Sequence, residues 1–324
     1  MRRAAQSETI PPRERIQLTN PENSRLPMIR IAAALLALTV TNRDASASDT
    51  ASSAPFAMLS SLVAESGANV RRGITYGPSP RHRLDVYEPV SAQNAPIVLF
   101  FYGGSWTSGD RAYYGFLATA LAKRGYTTVV ADYRLHPEVS FPAFVDDAAR
   151  AYGWAWRTLA KGQDRARPIY VMGHSAGAHI AALLALDPGY RNRFSPGSPR
   201  PAGLIGLSGP YAFDPTTWDT TAEIFATTAG NPDAARPVAV ARASQESAGG
   251  LRVLLLHGSS DTVVTPQASV ELKRVLEARG ANVTKIDYPL IGHIGLITAY
   301  ARPLRWRAST LDDTLRFLAR HPLR

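Results

Sequence analysis

The run Gly173-His174-Ser175-Ala176-Gly177 sets a serine between two glycines, each two positions away, after the apolar run 169–172 and before a helix-period segment that begins near Ala176. A strand, a sharp turn and a helix in that order hold a serine at the tip of the turn, with Oγ projecting from the sheet edge. The helix N-terminus adds free N–H groups and a positive dipole end beside it. The two glycines follow from crowding, because the strand and helix backbones approach closely there. A serine hydroxyl is a poor nucleophile at neutral pH, so it needs a base, and the base needs a third group to hold its tautomer.

Seven histidines can supply that base. His174 and His179 are near the serine in sequence, but one sits beside the turn tip and the other one turn down the helix, and both should point away from Oγ. His82 and His136 fall in loops ahead of the nucleophile, and His321 lies in the tail. His257 ends a strand and reads as a residue that shapes the turn Gly258-Ser259-Ser260-Asp261. His293, in Gly292-His293-Ile294-Gly295, follows the last strand by a short loop at the sheet edge where ligands gather, and it is the base we select. Asp261 lies on the same carboxyl edge, just past the strand 251–256, and is the acid. Asp214, Asp219 and Asp233 are rivals that precede the strand expected to carry the acid. The resulting order, Ser175, Asp261, His293, is the one expected on an α/β sheet and not on a β-barrel or subtilisin scaffold. For the oxyanion, Ala176 offers the N–H after the nucleophile, while Gly104 and Ser105 of Tyr102-Gly103-Gly104-Ser105-Trp106 offer two more.

These groups need a scaffold. Short apolar runs at 84–87, 97–102, 127–132, 169–172, 203–207, 251–256 and 283–288 alternate with helix-period segments at 113–124, 142–160, 176–186, 266–279 and 311–320. The runs are continuous in hydrophobicity, as suits strands covered on both faces in a parallel sheet. Pro142 and Pro266 sit at helix starts, and Gly125 and Gly280 close helices as left-handed caps. A doubly wound α/β domain over 73–324 follows. The segment 209–250 breaks the alternation, and a connection that long is usually functional or partly folded. It reads as a small cap over the carboxyl edge. Its large apolar residues Trp218, Ile224 and Phe225 either wall an acyl pocket beside Trp106 or anchor the cap.

The chain has 324 residues, 45% apolar and 19% charged, enough to bury a sizeable core. It has no cysteine, which excludes disulfides and thiolate chemistry. The net charge of +10 comes mostly from scattered single arginines, a pattern that argues against a nucleic-acid partner. The apolar stretch 31–40 is about half of a membrane span. With Arg30 ahead of it and Ala45-Ser46-Ala47 after it, residues 1–47 read as a leader with a secretory signal whose translation start is Met28, followed by a linker at 48–72. The expected location is therefore secreted or periplasmic, with a cytoplasmic leader as the alternative and no integral membrane segment in the mature chain.

Taken together, Tyr102 to Trp106, Ser108-Gly109-Asp110-Arg111, Asp132-Tyr133-Arg134-Leu135, Phe141-Pro142-Ala143 with Asp146-Asp147, the elbow at Ser175, His257-Gly258 with Asp261, and Gly292-His293 resemble an α/β-hydrolase of the carboxylesterase/lipase type. The resemblance spans residues 84–324. It is nearest to the hormone-sensitive-lipase-like esterases and to the feruloyl-esterase-like and kynurenine-formamidase-like enzymes. It implies an eight-stranded, mostly parallel sheet, no metal or organic cofactor, and an acyl-enzyme route for a small-molecule ester. Tyr102 stands where such enzymes often carry histidine, and Ser105 where they often carry a third glycine. An amidase or formamidase shares every catalytic part, and a binding protein on the same sheet would be expected to have lost one of them. Oligomeric state is not legible.

Overall fold

A computed structural model describes residues 67–91, 95–161 and 166–319. The leader, the signal and most of the linker lie outside them. Eight strands form one sheet: β1 (Ala68–Thr75), β2 (Arg83–Pro89), β3 (Ile97–Phe101), β4 (Thr127–Ala131), β5 (Ile169–His174), β6 (Gly203–Leu207), β7 (Arg252–Gly258) and β8 (Asn282–Tyr288), in the order β1-β2-β4-β3-β5-β6-β7-β8. The pairs β1/β2 and β2/β4 are antiparallel and the rest are parallel. Every residue of β3, β4, β5 and β6 is buried, which is why these segments read as unbroken apolar runs.

The helices are α1 (Gly115–Ala122), α2 (Ala143–Ala155), α3 (Ala176–Leu186), α4 (Pro188–Phe194), α5 (Asp219–Ala222), α6 (Pro237–Ala243), α7 (Gln267–Ala278), α8 (His293–Thr298) and α9 (Thr310–Ala319). Helix α3 follows the serine and is buried on every side, because it packs on β3, β5 and β6 and is covered by α2, α4 and α6. Its sequence, AGAHIAALLAL, is accordingly apolar all round. Helix α7 is amphipathic, burying Ala268, Leu272, Val275 and Leu276 and exposing its charged face. Gly125 and Gly280 take φ of +90° and +86°, the left-handed conformation of helix caps.

Two boundaries differ from the sequence reading. The linker drawn to residue 72 ends inside β1, which pairs with β2 from Ala68↔Pro89 to Thr75↔Arg83. This strand escaped notice because it is an edge strand with little apolar alternation, and its exposed Arg71 and Arg72 mark it as one that resists further pairing. The segment 142–160 is α2 followed by a wider π-type turn at Trp156–Ala160, and not one regular helix.

The insertion at 209–250 is partly helical. It carries α5, two 3-10 turns (Ala226–Thr228 and Pro232–Ala235) and α6. Phe141 N–H donates to the Ile224 carbonyl at 2.9 Å, and Thr227 Oγ1 donates to the Phe141 carbonyl at 2.6 Å. These bonds tie the insertion to the loop ahead of α2.

Candidate active site

Ser175 joins β5 to α3 with φ +54° and ψ −123°, a region non-glycine residues rarely occupy and one that marks strain stored at a functional turn. The flanking glycines are obligatory. A Cβ on Gly173 would lie 2.1 Å from the Gly177 carbonyl oxygen, and one on Gly177 would lie 2.1 Å from that of Phe101. The Ser175 carbonyl accepts from Ala178 and His179 at 2.9 and 3.1 Å, which starts α3 directly at the turn.

His293 opens α8 after a short loop from β8, and its Nδ1–H donates to Asp261 Oδ2 at 2.8 Å. In a neutral ring this leaves Nε2 as the bare, accepting nitrogen. The loop carrying His293 reaches the turn carrying Asp261 because position 258 is glycine: a Cβ there would lie 2.1 Å from the Ile291 carbonyl oxygen. Ser259 and Ser260 N–H then donate to the Tyr288 and Ile291 carbonyls at 2.9 and 3.0 Å. Asp261 has a fully enclosed side chain. Burial pushes its pKa up, but hydrogen bonds with His257 and His293, the charge of His293, and the Val264 N–H prevail and hold it well below the usual carboxylate range. Its other oxygen accepts from Val263 and Val264 N–H at 3.0 and 2.9 Å. The acid is therefore ionised and immobile. His257 lies 3.3 Å from Asp261 Oδ2 and bonds to Ser269 Oγ at 2.8 Å and the Val264 carbonyl at 3.0 Å, so it shapes the acid's turn.

His174, set aside in the sequence because it points away from the serine hydroxyl, lies against the base. Its ring centroid is 4.8 Å from that of His293, and its Nε2–H donates to the His293 carbonyl at 3.2 Å. His179 turns elsewhere, with Nε2–H donating to the Ala235 carbonyl at 2.7 Å.

Beyond β3, Gly104, Ser105 and Trp106 take φ of +129°, +50° and +60° in succession. The Gly104 carbonyl is occupied by the Thr107 and Ser108 N–H groups at 3.0 and 2.9 Å, which coils the loop. Among the described residues, the N–H groups of Gly104, Ser105 and Ala176 donate to no protein acceptor. Ser105 supports the left-handed turn that a third glycine would otherwise make. Gly103 brings the loop onto the elbow: a Cβ there would be 2.9 Å from Ser175 Cβ and 3.0 Å from His174 Nδ1.

A buried polar bracket holds this loop. Tyr102 OH donates to Asp132 Oδ1 at 2.8 Å and accepts from Arg81 Nη2 at 2.8 Å, and its ring stacks on Tyr133 at 4.8 Å. Tyr133 OH donates back to the Tyr102 carbonyl at 2.8 Å. Arg111 closes the set through its ion pair with Asp132. A phenol in place of histidine at position 102 thus has its own partners.

Two proposed pocket residues are placed otherwise. Phe225 is wholly enclosed, with Trp106 at 4.9 Å, Phe141 at 5.4 Å and Phe144 at 5.9 Å between ring centroids. Trp106 is itself 4% exposed. Aromatic faces from the loop, α2 and the insertion meet around both, as the anchoring alternative expects. Trp218 alone of the three remains half exposed, beside Phe213 at 5.3 Å.

Superposition on esterase B from Lactobacillus rhamnosis, solved in its C6-C4 SN3 inhibited form, gives a TM-score of 0.68 at 19% identity over 90% of this chain and 96% of that one. A hormone-sensitive lipase from a metagenome library gives 0.66 at 22% identity over 90% and 98%. The chain has the α/β-hydrolase fold. The family model BD-FAE matches the chain over residues 84–200. A probable isoprenylcysteine alpha-carbonyl methylesterase of Oryza sativa subsp. japonica is 38% identical over 119 residues, covering 36% of this chain and 29% of that protein. Esterase LipC of Mycobacterium tuberculosis is 29% identical over 241 residues, covering 69% of this chain and 59% of that protein. The chain thus spans under a third of the plant relative and under two thirds of the mycobacterial one. No helix among its described residues is long and apolar enough to cross a membrane.

Proposed function

We propose that this chain, on its α/β-hydrolase fold, is a serine carboxylesterase that cleaves short or medium acyl esters through an acyl-enzyme, with Ser175 as nucleophile, His293 as general base and acid, and Asp261 as the group that orients and stabilises the imidazolium. The observation that carries the reading is the 2.8 Å bond from His293 Nδ1 to an ionised, fully enclosed Asp261, with the base packed on the residue that precedes a strained serine. His293 Nε2 takes the proton of Ser175 Oγ as the oxygen attacks the ester carbonyl. Negative charge develops on the carbonyl oxygen, and the N–H groups of Gly104, Ser105 and Ala176 receive it. Donors fixed in advance are each worth on the order of 3 kcal/mol of barrier. His293 then protonates the departing alcohol, and a water attacks the acyl-enzyme by the same route.

The short insertion supports soluble substrates of limited acyl length. Its helices are four and seven residues long, too little for an extensive lid over emulsified fat. Nitrophenyl esters of graded chain length, run beside formyl amides, test the class. Fluorophosphonate labelling that disappears in Ser175→Ala supports the assignment, whereas labelling that survives the substitution removes Ser175 from it. A preference for the amides would move the protein to the formamidase alternative. We also propose export with removal of residues 1–47, on the strength of the apolar stretch 31–40 and Ala45-Ser46-Ala47. An intact Met1 on the natural mature protein would exclude it.

A further inference from the structure

His174 touches each of the three parts on which the proposed mechanism depends. It is bonded in the chain to Ser175. Its Nε2–H donates to the main-chain carbonyl of His293 at 3.2 Å, and its ring lies 4.8 Å from the His293 ring at 44°. On the opposite side, Nδ1 faces the oxyanion loop, since a Cβ on Gly103 would stand 3.0 Å from it. The side chain is 2% exposed and Nδ1 has no partner. The loop that carries His293 is otherwise held mainly from the Asp261 side. Asp261 grips the imidazole at Nδ1, and the Ser259 and Ser260 N–H groups grip the Tyr288 and Ile291 carbonyls. Nothing in that set fixes the distance from His293 to the elbow. His174 does so, because it belongs to the elbow and binds the backbone of the base.

We propose that His174 is a positioning residue that clamps the backbone of His293 to the nucleophile turn and so sets the reach of Nε2 to Ser175 Oγ. The inference rests on the triad reading above. The state of the ring fits. Burial first, then the neighbouring His293, lower its pKa to about 3, so His174 stays neutral and places no charge beside the imidazolium that forms in the reaction. A neutral ring donating from Nε2 is the tautomer the observed bond requires.

The test compares four variants on a nitrophenyl butyrate ester. His174→Phe keeps the ring and removes the donor; His174→Gln places an amide N–H close to the position of Nε2. Loosening the base relative to the nucleophile acts on chemistry and not on binding. His174→Phe should therefore lose roughly 10- to 100-fold in kcat with KM changed little, and His174→Gln should recover most of that loss. A kcat within twofold of wild type in folded His174→Phe overturns the proposal. So does a Gln variant as impaired as the Phe variant with its circular dichroism intact. If His174→Phe does not fold, His174→Asn, whose amide falls short of the His293 carbonyl, takes its place with the same expected loss. His293→Ala and Ser175→Ala, assayed alongside, separate the two failures. If either retains activity, the triad assignment fails. If both are inactive while His174→Phe is not, only the clamp fails.

Discussion

Ser175 is held where serine does not rest easily, and the two glycines around it make that turn sterically attainable. Adding one methyl group at Gly177 would force that methyl to 2.1 Å from the Phe101 carbonyl oxygen, so Gly177→Ala should lower stability by about 3 kcal/mol, measured as a shifted thermal or denaturant midpoint. The proposed triad should act as a unit. Ser175→Ala and His293→Ala should each abolish most turnover, and the double variant should be little worse than either, because loss of one member already disables proton transfer. Independent, multiplicative losses in kcat/KM would mean that one of them is misassigned. Asp261→Asn should fold yet turn over about 10³- to 10⁴-fold more slowly, since the amide permits the wrong imidazole tautomer. The acid also titrates in a definite sense. Its folded pKa lies below its unfolded value, so its contribution to stability is fully present above about pH 5 and is lost progressively as pH falls through the unfolded value and below. The gap in melting temperature between wild type and Asp261→Asn should accordingly be constant above about pH 5 and narrow on acidification.

At the scale of elements, the insertion is fastened by aromatic packing. Phe225 reaches across from the insertion to Trp106 of the oxyanion loop and to Phe141 and Phe144 at the start of α2. Phe225→Ala should cost about 3–5 kcal/mol through the cavity it leaves, seen in the denaturant midpoint. Its effect on acyl-length preference should come only through a loosened insertion. Trp218 is 51% exposed and is the residue of this group with surface left to meet a substrate. If it lines the acyl side, Trp218→Ala should change the ratio of kcat/KM for butyrate and decanoate esters by about 1–3 kcal/mol per methylene of fit, with stability nearly unchanged. An unchanged ratio would take the insertion out of the specificity argument.

Across the whole molecule, the parallel strands β3 and β5 to β8 bring the loop 102–106, Ser175, Asp261 and His293 to one sheet edge, because every parallel strand ends on that side. The opposite wing is held by buried charge. Asp147 has no exposed side-chain surface and binds His82 Nε2 at 2.8 Å, Arg134 Nη2 at 2.7 Å and the Arg134 N–H at 2.9 Å. This joins α2 to the segment ahead of β2 and to the exit of β4. Asp147→Ala leaves both partners without their acceptor and should cost about 3–5 kcal/mol. Replacing the carboxylate by an amide should recover part of that loss in the same unfolding measurement.

Much of this was legible in one dimension. The unbroken apolar runs declare strands covered on both faces; Gly173 and Gly177 declare a turn where no Cβ fits; and the positions of Asp261 and His293 after successive strands place the two side chains on one edge. Each of these is a local pattern that reports its own surroundings. The edge strand β1 was not legible, because its residues are chosen for exposure and its pairing is supplied by β2. The enclosure of Phe225 and Trp106 was not legible either, since an apolar side chain in an irregular segment reads the same whether it faces substrate or three other rings. Nor was the contact of His174 with His293, two residues 119 positions apart. That contact is made by the parallel sheet, which brings the ends of β5 and β8 to one edge and lets the loop after β8 reach back across β7 and β6 to the turn after β5, and no spacing along the chain encodes which rings meet there.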